Sequence, residues 1–325
     1  MINQPLALLL GQLLGTALAC GINLYATVTL LGLASRFGWT DAVPPGLRGL
    51  ENGIVIGSAA VLYFIEVVID KVPYVDSIWD AVHTVIRPLA AGLLAALALE
   101  ALPTGSQILG GLAAAAAALM AHATKAGYRI ALHASGRSRK AIRISLVEDL
   151  LAFLLVAALL ITPAFATALA AVGVLLLAFR GLPYWRAAVL GIRGLDARIR
   201  GFFGTPGWRE RADLPPHVAA LVEPDALGIA PPRALRAAAD HLPGAGAYRN
   251  GWLVIQRNKV AFVYRSLLRP RRIDLPAPAV CDPRPGLLVD ALRVEQDNGF
   301  TLFLLKDGPP LDLALAEIRA AASWG

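Results

Sequence analysis

Long apolar segments alternate with short polar connections over the first 180 residues. Most of these segments are about 18 residues or longer and hold few charges, and an α-helix of that length crosses the hydrocarbon core of a bilayer. The pattern therefore predicts about six membrane-spanning helices. They are predicted at residues 6–33, 53–70, 77–101, 106–124, 145–162 and 164–179.

The pattern becomes that of a soluble domain after residue 204, where Pro and Gly interrupt shorter apolar runs. A short helix is predicted at residues 231–241. Two β-hairpins follow, with turns at 258–259 and 297–299, and the Asn-Gly pair in the second favours a tight turn. Apolar residues spaced as one helix face predict a last helix at 311–321. The four strands are predicted at residues 252–256, 260–264, 287–295 and 300–305.

These patterns predict an all-α polytopic membrane bundle followed by a small α+β cytosolic domain. Residues 1–180 form the transmembrane domain, residues 181–204 an amphipathic linker at the membrane surface, and residues 205–325 the α+β domain. The linker is assigned to the surface because aromatic residues are mixed with arginines there. A barrel of the pleckstrin-homology type, whose strands are closed by a carboxy-terminal helix, fits the last domain by analogy of shape.

The composition supports an integral membrane protein, because 57% of the 325 residues are hydrophobic whereas soluble domains are about 45–50% apolar. The net charge of +7 is concentrated in two basic segments, residues 125–143 and 180–200. Such segments beside membrane spans face the cytoplasm and attract anionic lipid headgroups. We therefore expect headgroup contacts at both segments, and a cytoplasmic amino terminus and C-terminal domain. Two cysteines are too few for a disulfide framework or a metal site.

Ionisable residues inside the apolar segments are the candidates for function, since each costs about 2.5–3.5 kcal/mol on insertion and is therefore paired or functional. Glu66 and Asp70 are four residues apart and share a helix face. Arg87 lies about two helical turns after Asp80 on the next span. The ion- or substrate-binding candidates are Asn23, Glu66, Asp70, Asp80, His83, Arg87 and Glu148.

Three hypotheses for these residues stay open. In the first, the protein is a proton- or cation-linked transporter or channel in which the carboxylates hold the ion, His83 tunes them and Arg87 is a gate or counter-ion. In the second, the charges form a structural salt-bridge knot, and the protein is a scaffold whose cytosolic domain binds a partner protein or lipid headgroups. In the third, Asp80 and His83 are the acid and base of an intramembrane lipid-modifying enzyme.

Motifs of common enzymes are missing from the sequence, including HExxH, GxSxG, the phosphate loop and GxGxxG. An enzyme is therefore not favoured, and we expect no catalytic residue, no cofactor and no metal. The expected partners are the lipid bilayer and an ion or small solute. We expect no nucleic-acid partner, and homo-oligomerisation stays open.

The chain resembles an uncharacterised bacterial membrane family, domain-of-unknown-function family 4126, over residues 10–175. The resemblance implies a helical membrane fold in the bacterial inner membrane and no established activity. At Asn23 the chain departs from the Gly-Leu-Arg string expected of the family. The strings that carry the resemblance are Gly21-Ile22-Asn23-Leu24-Tyr25, Leu33-Ala34-Ser35-Arg36-Phe37-Gly38, Glu66, Asp70-Lys71-Val72-Pro73, Asp76, Asp80, Arg87-Pro88-Leu89-Ala90, Ala134-Ser135-Gly136 and Ser145-Leu146-Val147-Glu148-Asp149.

Overall fold

The computed structural model divides into two compact units, Met1–Trp185 and Arg186–Gly325. Parts of the predicted turns at 258–259 and 297–299 lie outside the described residues, as do Pro73, Ser135 and Gly136. The structure describes residues 6–40, 43–72, 75–134, 138–222, 231–256, 259–266, 269–275, 280–295 and 299–322.

The first unit is built from long apolar helices, which confirms the predicted helical membrane bundle. Five helices are long and apolar enough to cross a membrane, or six if the 3-10 helix and α2, which are bent by 71° at their junction, form one span. The helices are α1 (Leu6–Arg36), a 3-10 helix (Pro45–Glu51), α2 (Gly53–Ile69), α3 (Val75–Ala98), α4 (Thr104–Ala134), α5 (Ser138–Ile161) and α6 (Pro163–Phe203).

Helix α1 folds back on itself at Asn23, whose backbone is non-helical with φ −147° and ψ 98°. Leu9 and Leu31 line the same apolar cavity beside Leu160, although a straight helix would hold them about 33 Å apart. The Thr40 hydroxyl, beyond the end of α1, donates to the Leu160 carbonyl at 3.0 Å. The predicted span 6–33, which is long and apolar enough to cross a membrane, is therefore folded as a re-entrant pair of half-helices.

The fold-back bears on the predicted topology of the first unit. Gly11 lies directly against the Thr167 side chain, close to the turn between α5 and α6. Lys140 and Arg143 are exposed near the start of α5, at the opposite end of that helix. Gly11 therefore lies towards one end of α5 and these two basic residues towards the other, and the side of the membrane on which the amino terminus lies stays a prediction.

Small residues let the helices approach closely around the position of the candidate residues. Gly92 of α3 and Gly111 of α4 face each other, and a Cβ atom on either would lie 3.0 Å from the carbonyl oxygen of the other. Gly21 of α1 lies in the same way against the backbone of Ala118 in α4. Close backbone contact of this kind is a main source of helix association in membranes, where the surrounding lipid is as apolar as leucine.

The second unit contains an antiparallel sheet with strand order β5-β4-β3-β2-β8-β7-β6, and β1 pairs with β2. The predicted hairpins are confirmed as the pairs β3–β4 and β7–β8, and the predicted last helix is α8. The elements are β1 (Arg209–Glu210), a 3-10 helix (Arg211–Asp213), α7 (Pro216–Ala219), β2 (Arg233–Asp240), β3 (Arg249–Gln256), β4 (Lys259–Ser266), β5 (Arg269–Leu275), β6 (Val280–Arg284), β7 (Val289–Glu295), β8 (Phe300–Leu305) and α8 (Leu311–Ala322).

The predicted helix at 231–241 is wrong, because this segment is the strand β2. Its alanine-rich sequence favours a helix. However, it pairs with β3 on one side and β8 on the other, and Leu235, Ala237 and Ala239 all join one apolar core. Pairing on both sides and burial of alternate residues outweigh the intrinsic helix preference.

One sheet face and α8 enclose the core of the second unit. Leu253, Phe262 and Leu302 from three strands contact this core together with Leu315 and Ile318 of α8. The antiparallel sheet with a carboxy-terminal helix confirms the α+β class, and the pleckstrin-homology analogy stays a prediction.

The predicted linker 181–204 is the continuation of α6, which runs without a break to Phe203. From Arg186 onwards the helix belongs to the second unit. Leu190 and Ala197 are buried there, and Gly194 lies against Leu288. One face of this half-helix is therefore part of the second unit, and its predicted contact with the membrane surface stays a prediction.

Candidate functional site

Asn23 forms the tip of the re-entrant helix α1. Its side-chain oxygen accepts a hydrogen bond from the Ala26 amide at 2.9 Å, which is the geometry of an N-cap for the second half-helix. Its side-chain nitrogen donates to Asp149 Oδ1 of α5 at 2.8 Å. The buried carboxamide therefore starts one half-helix and ties the tip to a carboxylate.

The first half-helix of α1 ends in carbonyl groups that have no helical partner. Arg87 Nη1 of α3 donates to the Gly21 carbonyl at 2.8 Å and also to the Ile22 carbonyl. Lys125 Nζ of α4 donates to the same Ile22 carbonyl at 2.9 Å. Cations are favoured at this position because the carboxyl end of a helix carries partial negative charge.

Glu66 of α2 lies against both of these cations. Its Oε1 is 2.5 Å from Arg87 Nη2 and 3.1 Å from Lys125 Nζ. Glu66 and Arg87 are both fully buried. Since isolated buried charges are very unfavourable, each of these ions depends on its partners to stay in the interior.

Arg129 of α4 contacts three further carboxylates. It binds Asp70 through two parallel hydrogen bonds, of 2.6 and 2.5 Å, and it donates to Glu148 Oε2 at 2.7 Å. Asp80 Oδ2 is 3.5 Å from Arg129 Nη1. The bidentate hydrogen bonds to Asp70 fix the plane of the Arg129 guanidinium group. Of the three carboxylates that contact Arg129, Asp80 is the most distant.

Lys125 joins the two groups of charges. Its Nζ is 3.6 Å from Asp70 Oδ2 and 3.8 Å from Glu148 Oε2, in addition to its contact with Glu66. The charges thus form one connected network, which we call the ion cluster. Its members are Glu66, Asp70, Asp80, Arg87, Lys125, Arg129 and Glu148.

The ion cluster holds more carboxylates than cations: four acidic and three basic side chains. Within the described part of the chain, Asp80 Oδ1 and Glu66 Oε2 are buried oxygens without a hydrogen-bond partner. An unpartnered buried oxygen of an ionised carboxylate is costly. A proton or a small cation at these oxygens would remove that cost and balance the charge.

His83 lies beside the ion cluster but is bound elsewhere. Its Nδ1 is 2.8 Å from the Trp79 carbonyl, and its Nε2 is 2.8 Å from the Tyr25 hydroxyl. Because a carbonyl can only accept, Nδ1 carries a hydrogen, and in the neutral imidazole Nε2 then accepts from the Tyr25 hydroxyl. The predicted acid–base pair with Asp80 therefore has no direct contact in this arrangement.

His122 of α4 contacts the backbone of Asp80, on the side away from its carboxylate. The ring is fully buried, and its Nε2 donates to the backbone carbonyl of Asp80 at 2.8 Å. This contact holds the α3 backbone at Asp80 against α4. It leaves the Asp80 carboxylate to face Arg129.

The helices that build the ion cluster match a known family model. The model, described as "Domain of unknown function (DUF4126)", covers residues 10–183. The chain belongs to this family. The DUF4126 region contains every member of the ion cluster and both halves of α1. Searches of curated proteins and of solved structures give no match.

Five of the seven predicted candidates meet in the interior of the DUF4126 region. These are Glu66, Asp70, Asp80, Arg87 and Glu148. Asn23 binds Asp149, the residue after Glu148 in α5, and His83 lies beside the group. Across the ranges that the structure describes, no three His, Cys, Asp or Glu side chains are grouped as ligands for a metal ion.

Sequence reasoning missed two basic members of the DUF4126 ion cluster, Lys125 and Arg129. It assigned them to a cytoplasmic basic segment, but α4 continues to Ala134 and both side chains are buried. Their signal was their spacing, because His122, Lys125 and Arg129 follow each other at helical intervals of three and four on an alanine-rich helix. They are therefore not available to lipid headgroups, unlike the exposed Lys140 and Arg143.

Proposed function

We propose that this protein is a proton- or cation-linked transporter or channel and that the ion cluster is its coupling site. The observation that carries the proposal is the convergence of an acidic excess on the tip of a re-entrant helix, with a buried free oxygen on Asp80 and on Glu66 among the residues that the structure describes. Ionisable groups in the interior of membrane bundles are rare, and they mark ion pathways and proton relays.

The broken helix supports the same proposal. Discontinuous helices in transporters place carbonyls and helix ends at ion and substrate sites near the middle of the bilayer. Here the carbonyls of Gly21 and Ile22 are held by Arg87 and Lys125, which also hold Glu66. The same cations therefore contact both the acidic side chains and the tip of α1.

This sharing gives a physical route from ion binding to movement. A proton or cation at Glu66 weakens the attraction of that carboxylate for Lys125, and one at Asp80 weakens its attraction for Arg129. Lys125 is then held less firmly at the Ile22 carbonyl, and the tip of α1 is freer to shift. In this account Arg87 is a counter-ion, because its contacts with Glu66 and two carbonyls leave it little freedom to act as a gate.

The proposal places the protein in the bacterial inner membrane with the second unit in the cytoplasm. The exposed Lys140 and Arg143 support this orientation, since basic residues beside membrane spans are retained on the cytoplasmic side. The re-entrant α1 then puts the amino terminus on the other side.

The test uses the full chain in proteoliposomes on a solid-supported membrane, where charge movement is recorded as a current. Rapid jumps in pH, Na⁺ or K⁺ are applied to the wild-type protein, to Asp80→Asn and to the control Glu100→Gln, an exposed carboxylate outside the ion cluster. We expect a current in the wild type and the control for at least one of these ions, and its loss in Asp80→Asn.

Size-exclusion profiles and thermal unfolding show whether Asp80→Asn remains folded. A current of unchanged size in a folded Asp80→Asn variant would remove the proposed role of Asp80. Absence of a current in the wild type for all three ions would argue against the coupling site as a whole.

A scaffold is the second candidate, and the separate core of the second unit favours it. This unit folds around its own apolar residues, including those of α8, as expected of a binding module that is anchored to the membrane. The scaffold hypothesis predicts that a strain lacking the gene is restored by the full chain and not by a chain without residues 205–325. Restoration by the shortened chain would contradict it.

A further inference from the structure

The half of α6 at residues 186–203 has two unlike faces. One face packs within the second unit through Leu190, Ala197 and Gly194. The opposite face exposes large apolar side chains to solvent: Ile192 is 44% exposed, Ile199 51%, Phe202 83% and Phe203 82%. Ile192 and Ile199 are two turns apart, and these side chains line the free side of the helix.

Arginines border this apolar face. Arg198 is exposed, and the side chains of Arg200 and Arg209 are 66% and 43% exposed. Arg200 and Arg209 also line a cleft of about 400 Å³ together with Phe203. Thr205 and Asp307 line the same cleft.

Acidic residues near this face do not cancel the positive charge. Asp196 is 2.8 Å from both Arg200 and Arg236, and Asp307 is 2.8 Å from Arg236. With Arg198 and Arg209 included, four arginines face only two carboxylates, so two positive charges are left over. The border of the apolar face is therefore cationic.

An exposed apolar face with a cationic border has the chemistry of a helix that lies in a membrane surface. Phenylalanine and isoleucine enter the boundary between headgroups and acyl chains, and arginines bind anionic headgroups. A partner protein would not require both features on one helix, whereas an anionic bilayer satisfies both.

We infer that Ile192, Ile199, Phe202 and Phe203 insert into the surface of a bilayer that contains anionic phospholipid, with Arg198, Arg200 and Arg209 at the headgroups. This site lies entirely in the second unit. The inference goes beyond the transport proposal and does not depend on the ion cluster.

The test labels the full chain in lipid nanodiscs with a nitroxide at Phe202→Cys, in a Cys281→Ser background in which the remaining Cys20 is buried. The matched control is Leu313→Cys on α8, an exposed leucine of the same unit. Collision with O₂, which concentrates in lipid, is compared with collision with a water-soluble nickel chelate.

In discs of phosphatidylcholine and phosphatidylglycerol we expect the label at 202 to favour O₂ several-fold more than the label at 313. In discs of phosphatidylcholine alone we expect this preference to weaken. Equal, water-like behaviour at 202 and 313 would overturn the inference, and so would low collision with both reagents at 202, which would show burial against protein. A preference for O₂ that is unchanged without phosphatidylglycerol would overturn the headgroup role of the arginines.

Discussion

The two units of this protein distribute charge in opposite ways. In the first unit, large apolar side chains such as Phe64 and Phe179 are exposed, while Glu66 and Arg87 are fully buried. In the second unit, apolar strand residues such as Leu253 form the core. Several of its ion pairs, such as Arg233 with Glu317 and Arg284 with Asp282, lie at the surface.

The difference follows from the solvent that each unit faces. Water favours burial of apolar surface by about 25 cal/mol per Å², so the second unit is held together mainly by its core. Lipid gives apolar residues no comparable reason to leave the surface, so packing and polar contacts must specify how the helices of the first unit meet. The ion cluster is thus both the candidate site and a main contact between α1, α2, α3, α4 and α5.

The largest effect is expected from Arg87→Ala in the first unit. The substitution leaves Glu66 and the Ile22 carbonyl with Lys125 alone, and it frees the Gly21 carbonyl at the tip of α1. Breaking a buried ion pair from one side costs about 3–5 kcal/mol. We expect loss of most folded protein, measured as the monodisperse fraction and thermal midpoint in detergent.

The control for Arg87→Ala is Arg198→Ala, which removes an exposed arginine of the second unit and should leave both values unchanged. The double variant Glu66→Ala/Arg87→Ala should be more stable than the sum of its single variants predicts, because it leaves no unpaired carboxylate at residue 66. Strict additivity would contradict the pairing.

Leu253→Ala tests the apolar core of the second unit. Leu253 is fully buried in β3, and deletion of such a side chain costs about 2–5 kcal/mol through lost burial and a cavity. Limited proteolysis should then cleave residues 186–325 faster while the helices of the first unit stay protected. Equal loss of protection in both units would show that they do not unfold separately.

Asn23→Ala should have an intermediate effect. It removes the cap of the second half of α1, worth about 0.5–2 kcal/mol, and it deprives buried Asp149 of its amide partner. We expect a lower thermal midpoint and faster hydrogen exchange at the Ala26 amide, which loses its acceptor. Asn52→Ala, which removes the cap of α2 at an exposed site, is the matched control and should affect exchange only at its own helix.

The smallest effect is expected from Arg233→Ala. Its pair with Glu317 is 2.8 Å long, but both side chains are partly exposed, and surface ion pairs contribute about 0–1 kcal/mol. The thermal midpoint of the second unit should hardly change. A loss as large as that of Leu253→Ala would break the contrast between the two units.

Much of the fold could be predicted because its signals are local. Long apolar segments identify membrane helices without reference to their neighbours, and period-two runs with an Asn-Gly turn identify the hairpin of β7 and β8. The strand β2 could not be predicted in this way. Alanines lie on both sides of Arg236 in this strand and favour a helix. Only pairing with β3, the next strand, and with β8, which is distant in sequence, overrides that preference.

The acidic half of the candidate site could also be predicted, because carboxylates stand out in apolar segments. The fold-back at Asn23 could not, since a half-helix pair and one long span have the same hydropathy. The burial of Lys125 depends on that fold-back, because Lys125 binds the Ile22 carbonyl at the tip. Topology rules that count basic residues therefore misassigned two cations that are paired inside the bundle.

The most direct test of the central claim is infrared difference spectroscopy of the reconstituted full chain between alkaline and acidic buffer. A buried carboxylate that takes up a proton gives a carbonyl stretching band that ionised carboxylates lack. We predict this band in the wild type and in Asp274→Asn, which changes an exposed carboxylate of the second unit, and its loss in Asp80→Asn. Identical difference spectra of the wild type and Asp80→Asn, with and without added Na⁺ or K⁺, would contradict an ion-exchanging role for this carboxylate.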